Sequence, residues 1–323
     1  MSSRQKNVVI TGPTGLIGRA LINCCLREKT NVYAAVRPGS KRTGALPLSD
    51  AIHLVECDLS DLQSLTEKIP GPCDVFYHLG WSHTGRAKNG DVEFQTENIN
   101  FTIEALRVAR ALSCRLFVGA GSQAEYGPLD IDRISPETPE HPVTAYGICK
   151  YAAGKLAALE GEKLGIPVVW MRIFSTYGVG DKPDMLMGSL VRKMLQEEHI
   201  SMTEGIQQWD YLNAKDAGRA FFLAGENCGR SAVYCLGSGQ KRPLREYVEE
   251  TARLTGYRQP VGYGEIPYTE KSVMNLCADI RPLTRDTGFL PEVDFTSGMK
   301  ELIGAWKKKL DASSGTDEGG MRG

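Results

Sequence analysis

The sequence has little of what marks membrane, secreted or nucleic-acid-binding proteins. No apolar run approaches the ~18 residues that a membrane-spanning helix requires, and residues 1–7 lack the apolar stretch of a signal peptide. The 38 basic and 39 acidic residues nearly cancel, and the basic ones are dispersed along the chain. This balance argues against non-specific binding to nucleic acid or to an anionic membrane. We therefore expect neither of these partners.

The chain also lacks the residue spacing of a metal site. Its five histidines are scattered, and its nine cysteines contain no C-x-x-C pair, so no zinc or other metal site is predicted. An odd number of cysteines without a regular framework predicts free thiols, which are typical of a reducing cytosol. We therefore predict a cytoplasmic protein.

What is present is typical of a globular protein with one large domain or two modest ones: 323 residues, 41% of them hydrophobic and 24% charged. In the first half, short apolar runs alternate with helical patterns. Strands are predicted over 8–11, 32–36, 53–57, 75–79, 115–120 and 167–174, and helices over 16–27, 92–113 and 144–164. This alternation predicts an α/β fold with a parallel sheet and helices on both faces.

The second half is less regular. Helices are predicted over 185–198, 214–225, 243–255 and 297–310, with a strand over 233–236. We predict a dinucleotide-binding domain over 1–180 with return elements near 210–240, and a discontinuous, smaller substrate-binding domain over 181–312. The Ser/Gly-rich tail over 313–323 is predicted to be disordered.

A glycine loop follows the first predicted strand and leads into a predicted helix. The first glycine of such a loop allows a tight turn, the second lets the backbone approach a pyrophosphate, and the third lets the helix pack on the strand. The N–H groups at the start of the helix then bind the phosphates. The loop therefore predicts a dinucleotide site, formed here by Gly12, Thr14, Gly15, Leu16, Ile17 and Gly18.

The end of the second predicted strand indicates which dinucleotide binds. An NAD site places an acid there, about 20 residues beyond the loop, on the ribose 2′-hydroxyl. This chain has no acid at that place and instead has Arg37, Ser40, Lys41 and Arg42, which can bind a 2′-phosphate. A solvated basic loop is the alternative. We predict NADP(H), with Asp58 on the adenine amino group.

Tyr146 and Lys150 are the candidate catalytic pair. They lie one helical turn apart, so both side chains project from the same face. An unperturbed tyrosine has a pKa near ~10, and we expect Lys150 to lower the pKa of Tyr146 and to reach the nicotinamide ribose. Ser122 closes a predicted strand, at the carboxyl end where α/β sheets bind ligands. The trio predicts acid–base chemistry at a carbon–oxygen bond; an ordinary surface pair on a helix is the alternative for Tyr146 and Lys150.

Taken together, these motifs resemble the extended short-chain dehydrogenase/reductase family, in its nucleotide-sugar epimerase, dehydratase and 4-ketoreductase group. The resemblance runs from about residue 7 to 308, and its motifs are 11–18 (TGPTGLIG), Asp58-Leu59, His78-Leu79-Gly80, Asn98, Ser122 with Tyr126-Gly127, Tyr146 with Lys150, 172–178 (RIFSTYG) and 209–216 (WDYLNAKD). It implies a Rossmann fold with a smaller C-terminal α/β substrate-binding domain, and nucleotide-activated sugars as substrates. It also implies a homodimer built through helices near 95–112 and 145–163. The further cofactor contacts that we assign from it are Leu59, Leu79, Gly80, Trp81, Asn98 and Ile173.

Two positions separate the branches of this family. Its dehydratases carry an Asp-Glu pair directly after the serine, whereas this chain has Gln123 and Ala124, which disfavours dehydration. Its epimerases oxidise and re-reduce one carbon and keep NAD bound, whereas net reductases consume NADPH. The basic stretch from Arg37 to Arg42 therefore favours a net reductase.

The predicted function is NADP(H)-dependent reduction of the 4-keto group of a CDP- or dTDP-4-keto-6-deoxyhexose. Hydride from NADPH reaches carbon 4, Tyr146 protonates the forming alkoxide, Ser122 holds that oxygen, and Lys150 keeps Tyr146 competent. The alternatives are an NAD-dependent nucleotide-sugar 4-epimerase, an NADPH reductase of a non-nucleotide carbonyl, and a sensor that binds NADP(H) without catalysis.

The substrate pocket departs from the family pattern at two places. The resemblance implies that Asn commonly stands at the position of Ser175 and Arg at that of Trp209, and that both approach the diphosphate of the sugar nucleotide. Either a cation at Lys182, Arg192 or Lys271 compensates, or the substrate lacks a diphosphate. Trp81, His83 and Gln123 complete the predicted substrate contacts.

Overall fold

The computed structural model describes residues 5–84, 90–269 and 272–314. The strands are β1 (Asn7–Thr11), β2 (Asn31–Val36), β3 (Ile52–Glu56), β4 (Val75–His78), β5 (Leu116–Ser122), β6 (Val168–Ile173), β7 (Ser175–Tyr177), β8 (Ser201–Met202), β9 (Gln208–Trp209), β10 (Tyr211–Asn213), β11 (Ala232–Leu236), β12 (Arg242–Pro243) and β13 (Gly262–Tyr263). The helices are α1 (Leu16–Arg27), α2 (Leu65–Lys68), α3 (Val92–Ala111), α4 (Ala145–Leu164), α5 (Leu186–Leu195), α6 (Ala214–Asn227), α7 (Leu244–Thr255), α8 (Arg281–Thr287) and α9 (Phe295–Ser314).

The main sheet has seven parallel strands in the order β11-β6-β5-β4-β1-β2-β3. β1 pairs with β2 on one side and β4 on the other, so the strand order reverses between β1 and β4. In an open α/β sheet, a ligand binds beyond the carboxyl ends of the strands at this reversal. The prediction of a doubly wound parallel sheet is confirmed.

Helices cover both faces of this sheet, which explains why its strands are almost continuously apolar. On one face, α1 and α6 pack through Leu21 and Phe221 against Ile10 and Val118. On the other face, α3 and α4 bury a second apolar cluster that includes Phe76, Phe117, Leu106 and Ala157. The two layers hold the ends of β1, β4 and β5 rigidly beside one another.

The C-terminal elements build a separate apolar cluster. α5, α7 and α9 contribute Val191, Val248 and Leu302 to it, and short strands pair beside it as β7–β10, β9–β12 and β8–β13. β11, by contrast, returns to the main sheet next to β6. The exact division into domains stays a prediction.

Several predicted bounds differ from the structure. The helix predicted over 185–198 ends at Leu195, because Glu197 adopts a left-handed φ of +51° and the Glu198 amide turns back to donate to the Lys193 carbonyl at 2.9 Å. The tail was predicted to begin at 313, but α9 continues to Ser314; the rest of the tail and Lys271 lie outside the described residues.

The described part of the chain contains no candidate for a membrane-spanning helix, a metal site or a disulfide. None of its helices is both long enough and apolar enough to cross a membrane. Over the same residues, no group of three or more His, Cys, Asp or Glu side chains is arranged to hold a metal ion. All nine cysteines are unbridged and buried, so the prediction of free thiols is confirmed.

Candidate active site

A cavity of about 900 Å³ opens at the carboxyl edge of the sheet. Its walls are the glycine loop, the ends of β2, β4 and β5, the start of α4, and parts of 173–187 and 207–211. The predicted cofactor and catalytic residues on this wall are Gly12, Thr14, Gly15, Leu16, Ile17, Arg37, Ser40, Arg42, Leu59, Leu79, Gly80, Trp81, Ile173, Ser122 and Tyr146. The predicted substrate residues on it are Trp81, His83, Gln123, Ser175, Lys182 and Trp209. The structure thus brings most of the predicted site together.

The glycine loop has a shape that fits a dinucleotide. Gly12 has a φ of +67°, and a Cβ there would lie 2.7 Å from the Leu79 carbonyl carbon, so only glycine suits this turn. Gly15 caps α1 without any side-chain bond to the first turn. The amides at the start of α1 therefore stay available to an anion at the positive end of the helix dipole.

The cavity wall beyond β2 is basic. Arg37, Ser40 and Arg42 line it, and the Arg42 guanidinium reaches back to donate to the Thr14 carbonyl at 3.3 Å. Within the described ranges, neither Arg37 nor Arg42 forms an ion pair with a carboxylate. Burial, and then the charge of Arg42, lowers the pKa of Arg19 on α1. Lys41 is exposed and does not line the cavity.

Ser122 and Tyr146 meet on the cavity wall. Ser122 is the last residue of β5, and Tyr146 lies in the first turn of α4, which Thr144 caps by accepting from the Gly147 amide at 3.1 Å. Both side chains line the same cavity, and the Ser122 hydroxyl is close enough to Tyr146 to favour a lower pKa of that phenol. Two neighbouring hydroxyls at the carboxyl edge can hold and protonate one substrate oxygen.

The expectation that Lys150 lowers the pKa of Tyr146 is wrong for this structure. Burial raises the pKa of Tyr146 to about 12; the Ser122 hydroxyl opposes the rise, and the charge of Glu125 adds to it. The Lys150 ammonium lies 5.9 Å from the Tyr146 ring centroid and is not among the groups that shift the pKa of Tyr146. A tyrosine that stays protonated at neutral pH is still suited to donate a proton.

Lys150 does not line the cavity. Its Nζ donates to the Ala120 carbonyl at 2.6 Å and lies 3.6 Å from the ring centroid of Trp81, which does line the cavity. Burial lowers the pKa of Lys150 to about 7, and the charge of Glu125 opposes this change. Lys150 is therefore a buried ammonium that is close to losing its proton at neutral pH.

Sequence reasoning missed a buried ion-pair network behind Ser122. Glu125 accepts from the Ser122 amide at 2.8 Å, from the Trp170 indole at 3.0 Å and from Arg172 Nε at 2.7 Å. Arg172 also donates to the Tyr126 hydroxyl at 2.7 Å and to Glu140 at 2.5 Å. An arginine within an apolar strand was the available signal, because a buried charge needs a partner.

Three other predicted residues make contacts away from the cavity wall. Asp58 accepts from the Ser60 amide at 3.0 Å and caps a 3-10 turn. Asn98 accepts from the Ser82 amide at 2.6 Å and so holds the loop after β4. Arg192, on α5, pairs with Glu198 at 2.7 Å. The structure therefore does not bring these three side chains to the cavity.

The two departures from the family pattern contact each other. Trp209 Nε1 donates to the Ser175 hydroxyl at 2.7 Å on the substrate side of the cavity. Lys182, which lines the same region, donates to the Thr84 hydroxyl at 3.0 Å. Asp181 lies beside it, and burial raises the pKa of that carboxyl to about 7. Sequence reasoning did not identify Asp181 as a cavity residue.

Comparisons with known proteins agree with this geometry. The family model "NAD dependent epimerase/dehydratase family" matches residues 8–237. The chain is 27% identical over 317 residues to an uncharacterised UDP-glucose epimerase, YtcB, of Bacillus subtilis, covering 92% of this chain and 96% of that one. It is 22% identical over 309 residues to CDP-abequose synthase of Salmonella muenchen, covering 93% and 97%.

Solved structures show the same similarity. MoeE5 in complex with UDP-glucose and NAD has a TM-score of 0.82 and 26% identity, with 94% of this chain and 99% of that chain covered. UDP-glucose 4-epimerase of Thermotoga maritima has a TM-score of 0.85 over the same shares, and at 19% identity it shows the fold alone. The resemblance drawn from the motifs is confirmed, and the chain belongs to the NAD-dependent epimerase/dehydratase family.

Proposed function

We propose that the protein transfers a hydride between a bound nicotinamide and carbon 4 of a nucleotide-activated sugar. The observation that carries the proposal is the placement of Ser122 and Tyr146 together on the wall of a cavity that begins at the glycine loop. Relatives such as YtcB are named as nucleotide-sugar epimerases. The comparisons therefore favour 4-epimerisation, in which one carbon is oxidised and re-reduced within a single turnover.

The chain's own residues fit a nicotinamide dinucleotide. The turn at Gly12, the uncapped start of α1 and the basic wall at Arg37 and Arg42 suit its phosphates. When bound, this group supplies the acceptor and donor of the hydride. In the reducing step, protonated Tyr146 donates its proton to the sugar 4-oxygen, and Ser122 holds that oxygen; in the oxidising step, Tyr146 must first lose its own proton to accept that of the sugar. Lys150 supplies positive charge behind Tyr146.

A net 4-keto reductase is the second candidate. Arg37, Ser40 and Arg42 line the cavity beyond β2, where the described chain places no acid on the wall. Guanidinium groups without carboxylate partners suit a 2′-phosphate, so this end of the cavity favours NADP(H), the cofactor of a net reductase. CDP-abequose synthase is among the relatives. We therefore propose NADP(H) as the cofactor, and reduction of a CDP- or dTDP-4-keto-6-deoxyhexose as the second function.

The Ser175–Trp209 bond favours a variant of the second candidate. The lining residues on the substrate side include one lysine, Lys182, and two carboxylates, Asp181 and Asp184. This charge balance does not attract a diphosphate, so an NADPH reductase of a non-nucleotide carbonyl is the variant to test. The intact Ser122, Tyr146 and Lys150 argue against a sensor without catalysis.

One experiment separates these functions. The cofactor released on denaturing the purified protein is identified by chromatography, and the protein is assayed with UDP-glucose and UDP-glucuronic acid for epimers. It is also assayed with CDP- and dTDP-4-keto-6-deoxyhexoses and simple ketones for NADPH consumption at 340 nm. Bound NAD with epimer formation supports the epimerase, whereas NADPH consumption by one substrate class supports the corresponding reductase.

Tyr146→Phe is the test of the catalytic assignment. We expect nearly complete loss of turnover with cofactor binding retained, because only the hydroxyl is removed. Tyr151→Phe, on the same helix but off the cavity wall, is the matched control and should keep full activity. Normal turnover by the Tyr146 variant would refute hydride transfer assisted by this residue.

We also propose that the protein is a homodimer through α3 and α4. Ile148, Leu156 and Leu159 lie on one face of α4 and are between 43% and 58% exposed. An exposed apolar stripe on a helix is typical of an interface. A second copy of this chain is the partner that the family resemblance implies.

A further inference from the structure

We propose that Trp81 is a positioning residue for Lys150: its indole face holds the ammonium charged and directed behind Tyr146. The Lys150 Nζ lies 3.6 Å from the Trp81 ring centroid, which is within the range of a cation–π contact. Sequence analysis predicted that Trp81 contacts the cofactor or the substrate. The structure adds a contact that no motif indicates, between the loop after β4 and the catalytic helix.

A hydrogen bond at its N–H edge also holds the Trp81 indole in place. Trp81 Nε1 donates to Gln95 Oε1 at 2.9 Å, and Gln95 is fully buried on α3. The Gln95 amide nitrogen also donates to the His83 carbonyl at 3.1 Å, so one side chain ties both ends of the 81–83 loop. The Trp81 ring also meets Tyr146 edge-on, with centroids 6.1 Å apart and planes at 82°. One ring therefore contacts both members of the catalytic pair.

No carboxylate neutralises Lys150 in the part of the chain that the structure describes. The charge of Glu125 acts on Lys150, but the Glu125 oxygens accept from the Ser122 amide, Trp170 and Arg172. The polar partner of Nζ is the Ala120 carbonyl at 2.6 Å. The indole face is thus a principal source of stabilisation for the ammonium.

The other titratable groups around Lys150 do not replace this contact. Tyr146 shares its helix and stays neutral, since burial raises its pKa to about 12. His78 on β4 stays neutral too, because burial and then the charge of Lys150 lower its pKa to about 3. Arg172 on β6 is bound to Glu125 and Glu140. The charge on Lys150 therefore depends on its burial, on Glu125 and on Trp81.

The direction of the effect follows from these contacts. A lysine is charged below its pKa, and burial lowers the pKa of Lys150 to about 7. An indole face that favours the charged form raises the midpoint, so its loss should lower the midpoint by about 0.4 to 1.5 pH units. At pH 7, a drop of about one unit leaves about a tenth of Lys150 charged instead of about half. Activity that needs the ammonium should fall about fivefold.

The test measures Lys150 directly in the full-length protein. Lysine labelled at Cε and Nζ is titrated by NMR, and the Lys150 signal is assigned by its loss in Lys150→Met. Trp81→Leu keeps an apolar neighbour without a π face, so we expect a lower midpoint. Trp81→Phe keeps a π face, so it should stay near the wild type, whereas Trp81→Ala admits water and should raise the midpoint. Trp209→Leu is the matched control, because Trp209 lines the cavity away from Lys150.

An unchanged midpoint in Trp81→Leu would overturn the proposal, since it would mean that the indole only excludes water. Circular dichroism and the Tm of each variant confirm that it folds. The pH profile of kcat for wild type and Trp81→Leu is the second readout, and it alone rests on the proposed function. A shift in the NMR midpoint without measurable turnover supports the contact while counting against the enzymatic proposal. A profile that moves to lower pH in Trp81→Leu and not in Trp81→Phe supports both.

Discussion

Glu125→Gln is the substitution that tests the network behind Ser122 most sharply. The change removes one negative charge and keeps the shape of the side chain. Glu125 and Arg172 are 1% and 2% exposed, so neither can turn to water for compensation. Glu125 accepts from Ser122 and Trp170 at Oε1 and from Arg172 at Oε2, so the NH₂ group of a glutamine must face a donor whichever way the amide is turned.

The expected loss of stability depends on the contacts that Arg172 keeps in the variant. Removing one partner of a buried ion pair costs about 3 to 5 kcal/mol, because the other charge is left uncompensated. Arg172 keeps Glu140 at 2.5 Å, so we expect a loss at the lower end, about 3 kcal/mol of the free energy of unfolding. The Ser122 amide also loses a charged acceptor, which is worth about 1.5 to 3 kcal/mol. If half of that free energy is lost in the transition state, kcat falls about 4- to 13-fold.

The assay is urea unfolding followed by tryptophan fluorescence, together with kcat under saturating substrate. Glu140→Gln is the matched control: it removes a charge from the same arginine but does not contact Ser122, so kcat should stay near the wild-type value. The double variant Glu125→Met with Arg172→Met removes both charges and should be more stable than either single variant. The reasoning is refuted if Glu125→Gln unfolds with the wild-type free energy.

Three further outcomes follow from the same contacts. Arg37→Ala should raise the KM for NADPH far more than that for NADH in steady-state assays, and an equal effect on both would count against a 2′-phosphate at the basic wall. Asp181→Asn should raise stability at pH 8 but not at pH 4, measured by urea unfolding. The reason is that burial raises the pKa of Asp181 to about 7 in the folded protein, from ~3.9 in the unfolded chain. The free energy of unfolding of the wild type therefore falls by at most about 4 kcal/mol as the pH rises from ~4 through ~7 and Asp181 ionises in the native state. Leu159→Glu should convert a dimer to a monomer in light scattering, while Leu290→Glu, an exposed leucine outside α3 and α4, should leave the mass unchanged.

The main sheet was predictable because its strands are buried on both faces. Runs such as 8–10 and 32–36 are apolar along their whole length, and polar residues or glycine turns bound them, so their positions are clear without tertiary information. The strands β8, β9, β12 and β13 were missed for the opposite reason. Each has two residues, which is too few for an alternating pattern, and each exists only because a distant partner pairs with it.

The site was predictable where one local motif carries the chemistry. Gly12 to Gly18, Ser122 and Tyr146 come to one cavity because each follows a strand of the same parallel sheet. The electrostatics were less predictable. The pKa of Tyr146 depends on burial by distant residues, and Glu125 meets Arg172 across 47 positions. Contacts between residues this far apart in the chain leave no periodic pattern in the sequence.

Ser175 and Trp209, the two departures from the family pattern, are explained by their contact in the structure. Taken singly along the chain, each is the loss of a polar group that the family resemblance places near a diphosphate. In the structure, the indole N–H of Trp209 donates to the Ser175 hydroxyl at 2.7 Å, so each residue satisfies the other. A serine accepts an indole N–H in little space, and a tryptophan fills the volume that an arginine would occupy without its charge. The two positions therefore act as one neutral unit, and any diphosphate in this cavity must be neutralised elsewhere, with Lys182 the lysine on that side of the wall. This contact joins two short strands, β7 and β9, that lie far apart in the sequence, so neither residue alone reveals it.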